Sequence, residues 1–149
     1  MQPAAVDRAE FVDKLNRDLT SEFRSIVQYV QHISSIKGAE YQQVVGELRE
    51  HISQELEHAM ILASQIDFLG GTPNCSVPPI ETKVTPDAAL NQDLNLEERQ
   101  LNRYRQRISE ANALGLPDVA EALTPLLVQT QDHVRDLRRA LGQETSTTA

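Results

Sequence analysis

Glu55 and His58 stand three residues apart in Glu55-Leu-Glu-His58, a spacing that puts both side chains on one face of a helix. Together they offer one hard oxygen donor and one imidazole nitrogen. The apolar rhythm around them runs Leu48, Ile52, Ala59, Leu62, Ile66, Leu69, and Glu55 fills the step between Ile52 and Ala59. A carboxylate on the stripe that faces a core is costly without compensation. The candidates are a proton, a cationic side chain or a metal.

Two other stripes show the same interruption. Phe11, Leu15, Leu19, Ile26, Val30 and Ile33 recur at helical spacing, with Glu22 in the gap and Tyr29 about two turns beyond it on the same face. Leu90, Leu94, Leu101, Tyr104, Ile108 and Ala111 form a third stripe, broken at Glu97. In the fourth, Leu123, Leu126, Val134, Leu137 and Leu141, the gap is Thr130 and His133 follows three later. Three carboxylates and two histidines thus converge, with no Lys or Arg on the stripes to pair with them. Carboxylates brought together raise one another's pKa, and a divalent cation removes that conflict. Oxygen plus imidazole without thiolate suits iron or manganese, with zinc as a competitor. Protonated or mis-phased carboxylates are the alternative.

The elements that must position these residues are four helices, at about 8–37, 40–69, 86–113 and 118–141, in one domain over 1–149. Asp7 with Glu10 caps the first, and Gly38 stops it. Gly70-Gly71 ends the second. Thr85-Pro86-Asp87 starts the third, and Gly115 and Pro117 follow it. Pro125 predicts a kink in the fourth, or a restart capped by Thr124. The stretch from Thr72 to Val84, with three prolines, reads as an ordered crossover. The tail from Gln143 is polar and expected to fray. No strand pattern appears. The fold class is all-α: a four-helix bundle with a long crossover between helices two and three.

The 149 residues carry a net charge of −8, which disfavours nucleic acid and anionic membranes as partners and favours cations. No apolar run of spanning length occurs, and the N-terminus lacks the basic-then-apolar pattern of a secretory signal. One cysteine, Cys75, excludes an internal disulfide framework and fits a reducing cytoplasm.

The sequence resembles the ferritin-like superfamily, most closely the bacterioferritins. The similar stretches are Leu15-Asn-Arg-Asp-Leu-Thr-Ser-Glu22, Gln28-Tyr29 with His32, Glu55-Leu-Glu-His58-Ala59, Phe68-Leu-Gly-Gly-Thr-Pro-Asn74 and Leu94-Asn-Leu-Glu97. The resemblance implies a di-iron centre that oxidises ferrous iron with oxygen or peroxide, iron storage, and a homo-oligomer, at least a dimer and at most a shell. It implies Glu22, Glu55 and His58 around one iron and Glu97 and His133 around the other, with Glu55 bridging and Tyr29 in support behind the ligands.

Three departures qualify this. The family's last helix carries a second Glu-x-x-His, where this chain has Thr130-Gln-Asp-His133. One carboxylate fewer predicts one tight and one weak metal position, and slowed oxidation; Gln129 and Asp132 point off the stripe. The family's haem-binding Met falls at Leu56, so haem is not expected, although Met60 lies one turn on. The family's short fifth helix has no counterpart. His51, one turn before Glu55, is either a supporting or entry ligand or a partly exposed structural histidine. His32 reads as structural or as a subunit contact, and Glu47 and Glu50 as an approach path or a solvated face. The apolar residues Val27, Val44 and Val45 lie beyond the main stripes and point to an intersubunit contact. The competing functions are a bundle that kept the fold and lost the chemistry, and a miniferritin-like stress protein, a class whose metal sits between subunits.

Overall fold

The computed structural model describes residues 6–83 and 85–143. Four helices account for most of them: α1 (Arg8–Ser35), α2 (Gln42–Phe68), α3 (Pro86–Ala113) and α4 (Pro117–Ala140). No strand occurs among the described residues. The chain is therefore an all-α four-helix bundle. No helix among these residues is long and apolar enough to cross a membrane. Val84 and the tail from 144 onward lie outside the described residues.

Local chemistry sets the helix ends. The Asp7 carboxylate accepts from the Glu10 amide at 2.8 Å, and Thr85 accepts from the Ala88 amide ahead of Pro86 in the first turn. Gly38 has φ +119° and is followed by a short 3-10 turn, Ala39–Tyr41, before α2 begins. Gly70, at φ +87°, closes α2, and the Gly71 amide donates back to the Ile66 carbonyl. Of the kink or restart expected at Pro125, the restart does not occur: α4 runs through it as one element. Thr124 does not cap a restart; its hydroxyl donates to the Ala120 carbonyl at 3.0 Å.

Side-chain pairs reveal the topology. Along α1, Lys14, Asp18, Glu22 and Gln28 meet Glu110, Arg107, Tyr104 and Asp93 in descending order, so α1 and α3 are antiparallel. His51, Glu55 and His58 meet Asp136, His133 and Gln129, so α2 and α4 are antiparallel as well. Short turns make α1–α2 and α3–α4 antiparallel hairpins, and the crossover then brings α3 parallel to α2. The crossover is fastened: the Asn74 side chain donates to Thr20, Asn16 bonds the backbone at Thr72 and Asn74, and Gln92 donates to the Glu81 carbonyl.

The apolar core is split in two. Phe11, Leu15, Leu62, Ile66, Leu123 and Leu126 fill one end; Ile36, Leu48, Leu90, Leu94 and Leu137 fill the other. A polar layer lies between. Here α1 departs from its apolar pattern: Val30 is exposed and Ile26 and Ile33 are only half-buried, whereas Ser25, Tyr29 and His32 face inward. The buried face of α1 follows the polar residues because they answer partners on α3.

Those partners include a buried arginine that the stripes did not reveal. Arg107 donates to the Asp18 carboxylate at 2.9 Å and to Glu110 at 2.6 Å. Burial pushes the Asp18 pKa up to about 7, against the opposing pull of Arg107 and Arg103. A folded-state value above the unfolded one makes the folded chain the better proton binder, so this group's contribution to stability falls as pH rises from about 4 to about 7. Asp18→Asn should remove that decline. Denaturant unfolding across this range should show the stability of the parent falling relative to the variant as pH rises; parallel curves would refute the assignment. At Gly71 an added Cβ would lie 2.5 Å from Val12 Cγ1 and 3.1 Å from an Ile66 methyl. Gly71→Ala should destabilise by about 1–3 kcal/mol through overpacking, and an unchanged unfolding midpoint would show that Val12 moves aside freely.

Candidate metal centre

Glu22 (α1), Glu55 and His58 (α2), Glu97 (α3) and His133 (α4) meet in the polar layer, each at most 1% exposed. They form two overlapping groups, Glu22–Glu55–His58 and Glu55–Glu97–His133, whose potential ligand atoms lie within 4.8 Å of one another. Glu55 belongs to both. Its Oε2 is 3.3 Å from His58 Nδ1, and its Oε1 is 3.0 Å from His133 Nδ1. Glu22 Oε1 lies 3.5 Å from His58 Nδ1, and Glu97 Oε1 lies 3.4 Å from His133 Nδ1.

Both imidazoles are held in one orientation. The Nε2–H of His58 donates to Gln129 Oε1 at 2.6 Å, and that of His133 donates to Gln54 Oε1 at 2.5 Å. Each ring is therefore turned with Nδ1 toward the carboxylates, the nitrogen that a cation held there would take. Gln129 was expected to point away; it reaches sideways to the outer nitrogen, which a face-by-face reading of α4 does not show. Two tyrosines steady the outer carboxylates. The Tyr29 hydroxyl donates to Glu97 Oε1 at 2.5 Å, and the Tyr104 hydroxyl donates to Glu22 Oε1, which also accepts from Gln100 at 3.0 Å. Tyr104 had the look of an ordinary member of the α3 stripe, and its hydroxyl was the one available signal.

Electrostatics divide the carboxyls. Burial, reinforced by Glu22 and Glu97, pushes the Glu55 pKa well up. Burial works on Glu97 in the same direction, but the His133 charge and hydrogen bonds from Glu55, His133 and Tyr29 outweigh it and hold that group at about 2. Of the two, Glu55 is thus the carboxyl pushed toward its protonated form. Burial opposes charge on His58, yet the Glu22 carboxylate prevails and raises its pKa.

A cation fits what remains. Glu22 Oε2, Glu55 Oε2, Glu97 Oε2 and His58 Nδ1 are buried without a hydrogen-bond partner. Four such orphans at one place are costly in a finished core and are the donors a divalent ion takes. Thr130 is fully buried beside them, its hydroxyl also without a partner.

The other sequence candidates lie around this centre. His51 is 2% exposed rather than partly open; its ring stacks on His133 at 4.0 Å and its Nε2 meets Asp136 at 3.1 Å. Burial and the facing His133 lower its pKa to about 4. His32 is buried and bonded to Asp93 at 2.8 Å, with Gln28 on the other Asp93 oxygen. Leu56 and Met60 are exposed, as is Glu50, whereas Glu47 is half-buried. Val27 is exposed, but Val44 packs in the bundle's own core and is not free to meet another subunit. Cys75 is exposed and free.

A helical bundle with a carboxylate–histidine centre midway along its axis defines a class of proteins, and comparison places the chain within it. The family model described as "Ferritin-like domain" matches residues 12–146, and the chain belongs to that family. Among solved structures, a ferritin-like, diiron-carboxylate protein from Bacillus anthracis superposes with a TM-score of 0.86 at 26% identity, covering 92% of this chain and 99% of that one. A dodecameric thioferritin, the bacterioferritin-related protein of Bacteroides fragilis, gives 0.79 at 26% identity over 92% and 87% of the two chains. A DNA protection during starvation protein of Halobacterium salinarum is 26% identical over 95% of this chain and 84% of its own length.

The outer amides can be tested directly. Gln129→Leu leaves the His58 Nε2–H without an acceptor and frees the ring to turn. Divalent-metal affinity at that half-site should fall about 10–100-fold, measured by anaerobic titration. Unaltered affinity would mean that packing alone orients His58.

Proposed function

We propose that the protein binds ferrous iron in the bundle centre and oxidises it with oxygen or peroxide as the acceptor. The single observation that carries this is the division of Glu55 between two half-sites, with one oxygen toward His58 and the other toward His133. A shared carboxylate holds two cations close, and two ferrous ions give up two electrons to one acceptor molecule. Glu22 and His58 complete one position, and Glu97 and His133 the other. Tyr29 and Tyr104 keep the outer carboxylates oriented, and the apolar ends of the bundle keep bulk water away. A cation held there would favour the ionised form of Glu55, which burial and the neighbouring carboxylates oppose.

Thr130 makes the two positions unequal. Three carboxylates against two divalent ions leave one positive charge uncompensated in a dry interior, and a neutral hydroxyl is a poor replacement for a bridging carboxylate. The Glu97–His133 position suffers more, because the missing oxygen belongs there.

Assembly as a homo-oligomer fits the surface. Val27 and Val30 on α1 and Leu56 and Met60 on α2 are exposed pairs at helical spacing, and the Bacteroides fragilis relative is dodecameric. A second reading, a stress-protective iron shell, draws on the similarity to the Halobacterium salinarum protein. Against that reading, the ligand groups here lie within one bundle and not between subunits, and a net charge of −8 disfavours direct contact with DNA.

Anaerobic titration with ferrous iron, followed by admission of air, tests the proposal. The parent should bind one ion tightly and a second weakly, and oxidise them slowly. Glu55→Ala should lose most of the bound iron, and Thr130→Glu should tighten the second position and speed oxidation. Undiminished iron binding by Glu55→Ala would overturn the site. Binding without oxidation on exposure to air and peroxide would leave a metal-binding bundle without the chemistry.

A further inference from the structure

Opposite the metal centre, on the outer side of the α1–α3 seam, four arginines converge on a small cleft. Arg17 and Arg24 come from α1, and Arg99 and Arg103 from α3. The cleft has a volume of about 110 Å³. Arg24 and Arg99 also line a neighbouring chamber of about 590 Å³ beneath the crossover, to which Lys83 and Gln92 contribute.

This is an unusual place for cations in a chain of net charge −8. Gathering four guanidinium groups around one hollow is repulsive unless something negative lies among them. Among the described residues, none of the four forms an ion pair with a carboxylate. The nearby acids have other partners: Asp18 bonds Arg107 through one oxygen, its other oxygen being buried without a partner, Glu110 bonds Arg107 and Lys14, and Glu81 at the chamber pairs with Lys83 at 3.0 Å. Arg103 reaches inward only as far as the side-chain oxygen Oε1 of Gln100, to which it donates at 3.4 Å.

A second observation points to a ligand. Ser21 lines the cleft at 6% exposure, and its hydroxyl is buried without a partner. The Arg24 Nε–H beside it is also buried and unpartnered. The lining of the cleft thus offers guanidinium and hydroxyl donors and no carboxylate, which favours an anion rich in acceptor oxygens. Guanidinium forks arriving from two helices suit a tetrahedral oxyanion better than a flat carboxylate. The volume admits one such group and excludes a folded segment. We propose that this cleft binds a phosphate group, as the free ion or as the end of a phosphorylated small molecule whose remainder lies in the chamber under the crossover. The inference is independent of the metal centre and of its oxidation chemistry.

Calorimetric titration of the full chain, metal-free and in phosphate-free buffer at fixed chloride, should show saturable binding of inorganic phosphate. ATP is the second probe. Equal affinity for the two means that the phosphate group alone is held, and tighter ATP binding means that the chamber takes part; either supports the site. Arg24→Gln and Arg103→Gln should each weaken binding about tenfold or more, and Ser21→Ala by a smaller factor. Arg105→Gln, an exposed position outside the cleft, should leave it unchanged. Arg99→Gln, also exposed, keeps the test valid if a half-buried substitution unfolds the chain. No saturable binding of either probe at millimolar concentration overturns the proposal, as does binding that survives all three arginine variants. A short DNA duplex that binds more tightly than both probes and is lost in the same variants would replace it with a nucleic-acid surface.

Discussion

Three carboxylates and two imidazoles packed into a dry bundle centre cannot all keep the charges they carry in water, and much of the polar architecture answers that conflict. The centre compromises: Glu55 is pushed toward its protonated form, Glu97 is held ionised by His133, and Glu22 accepts from Tyr104 and Gln100. The compromise is incomplete, because several oxygens and one ring nitrogen stay buried without partners. Such a layer interrupts the apolar core and costs stability that a continuous core would keep. The two apolar ends, each spanning all four helices, hold the bundle together around it.

The layers outside the ligands show how the geometry is kept. Tyrosines from α1 and α3 reach the outer carboxylates, glutamines from α4 and α2 reach the outer ring nitrogens, and His51 lies flat against His133. Each ligand is thus steadied from an element other than its own. Amides, rather than carboxylates, back the two histidines. A neutral acceptor fixes the tautomer but adds less basicity to the ring than a charged one.

The fold class and the convergence of Glu22, Glu55, His58, Glu97 and His133 were legible because each interrupts, or directly follows, a break in an otherwise regular apolar stripe. Thr130 was legible for the same reason. Asp18, Asp93, Gln100 and Arg107 were not, although all are buried. They lie beside the stripes, and their burial depends on a partner 65 to 89 residues away, which no local periodicity reports. The spacing of Asp18 and Glu22, one helical turn, was a usable signal that the apolar rhythm of α1 obscured. Val30 shows the converse error: an apolar residue at the right interval that faces outward because the polar residues of α1 have better partners within.

The seam between α1 and α3 also bears on how the chain reaches its fold. Each hairpin, α1–α2 and α3–α4, is a local structure closed by a short turn. The seam that joins them is built from Lys14–Glu110, Asp18–Arg107, Glu22–Tyr104 and Gln28–Asp93, all distant in sequence. Apolar side chains tolerate sliding by a turn, but this ladder does not: one step out of place leaves every rung facing the wrong group, with buried charge unpaired. Docking of the two hairpins is therefore the step of high contact order and also the step that admits a single alignment. The same rungs that weaken the core in equilibrium terms make the search for the native arrangement selective.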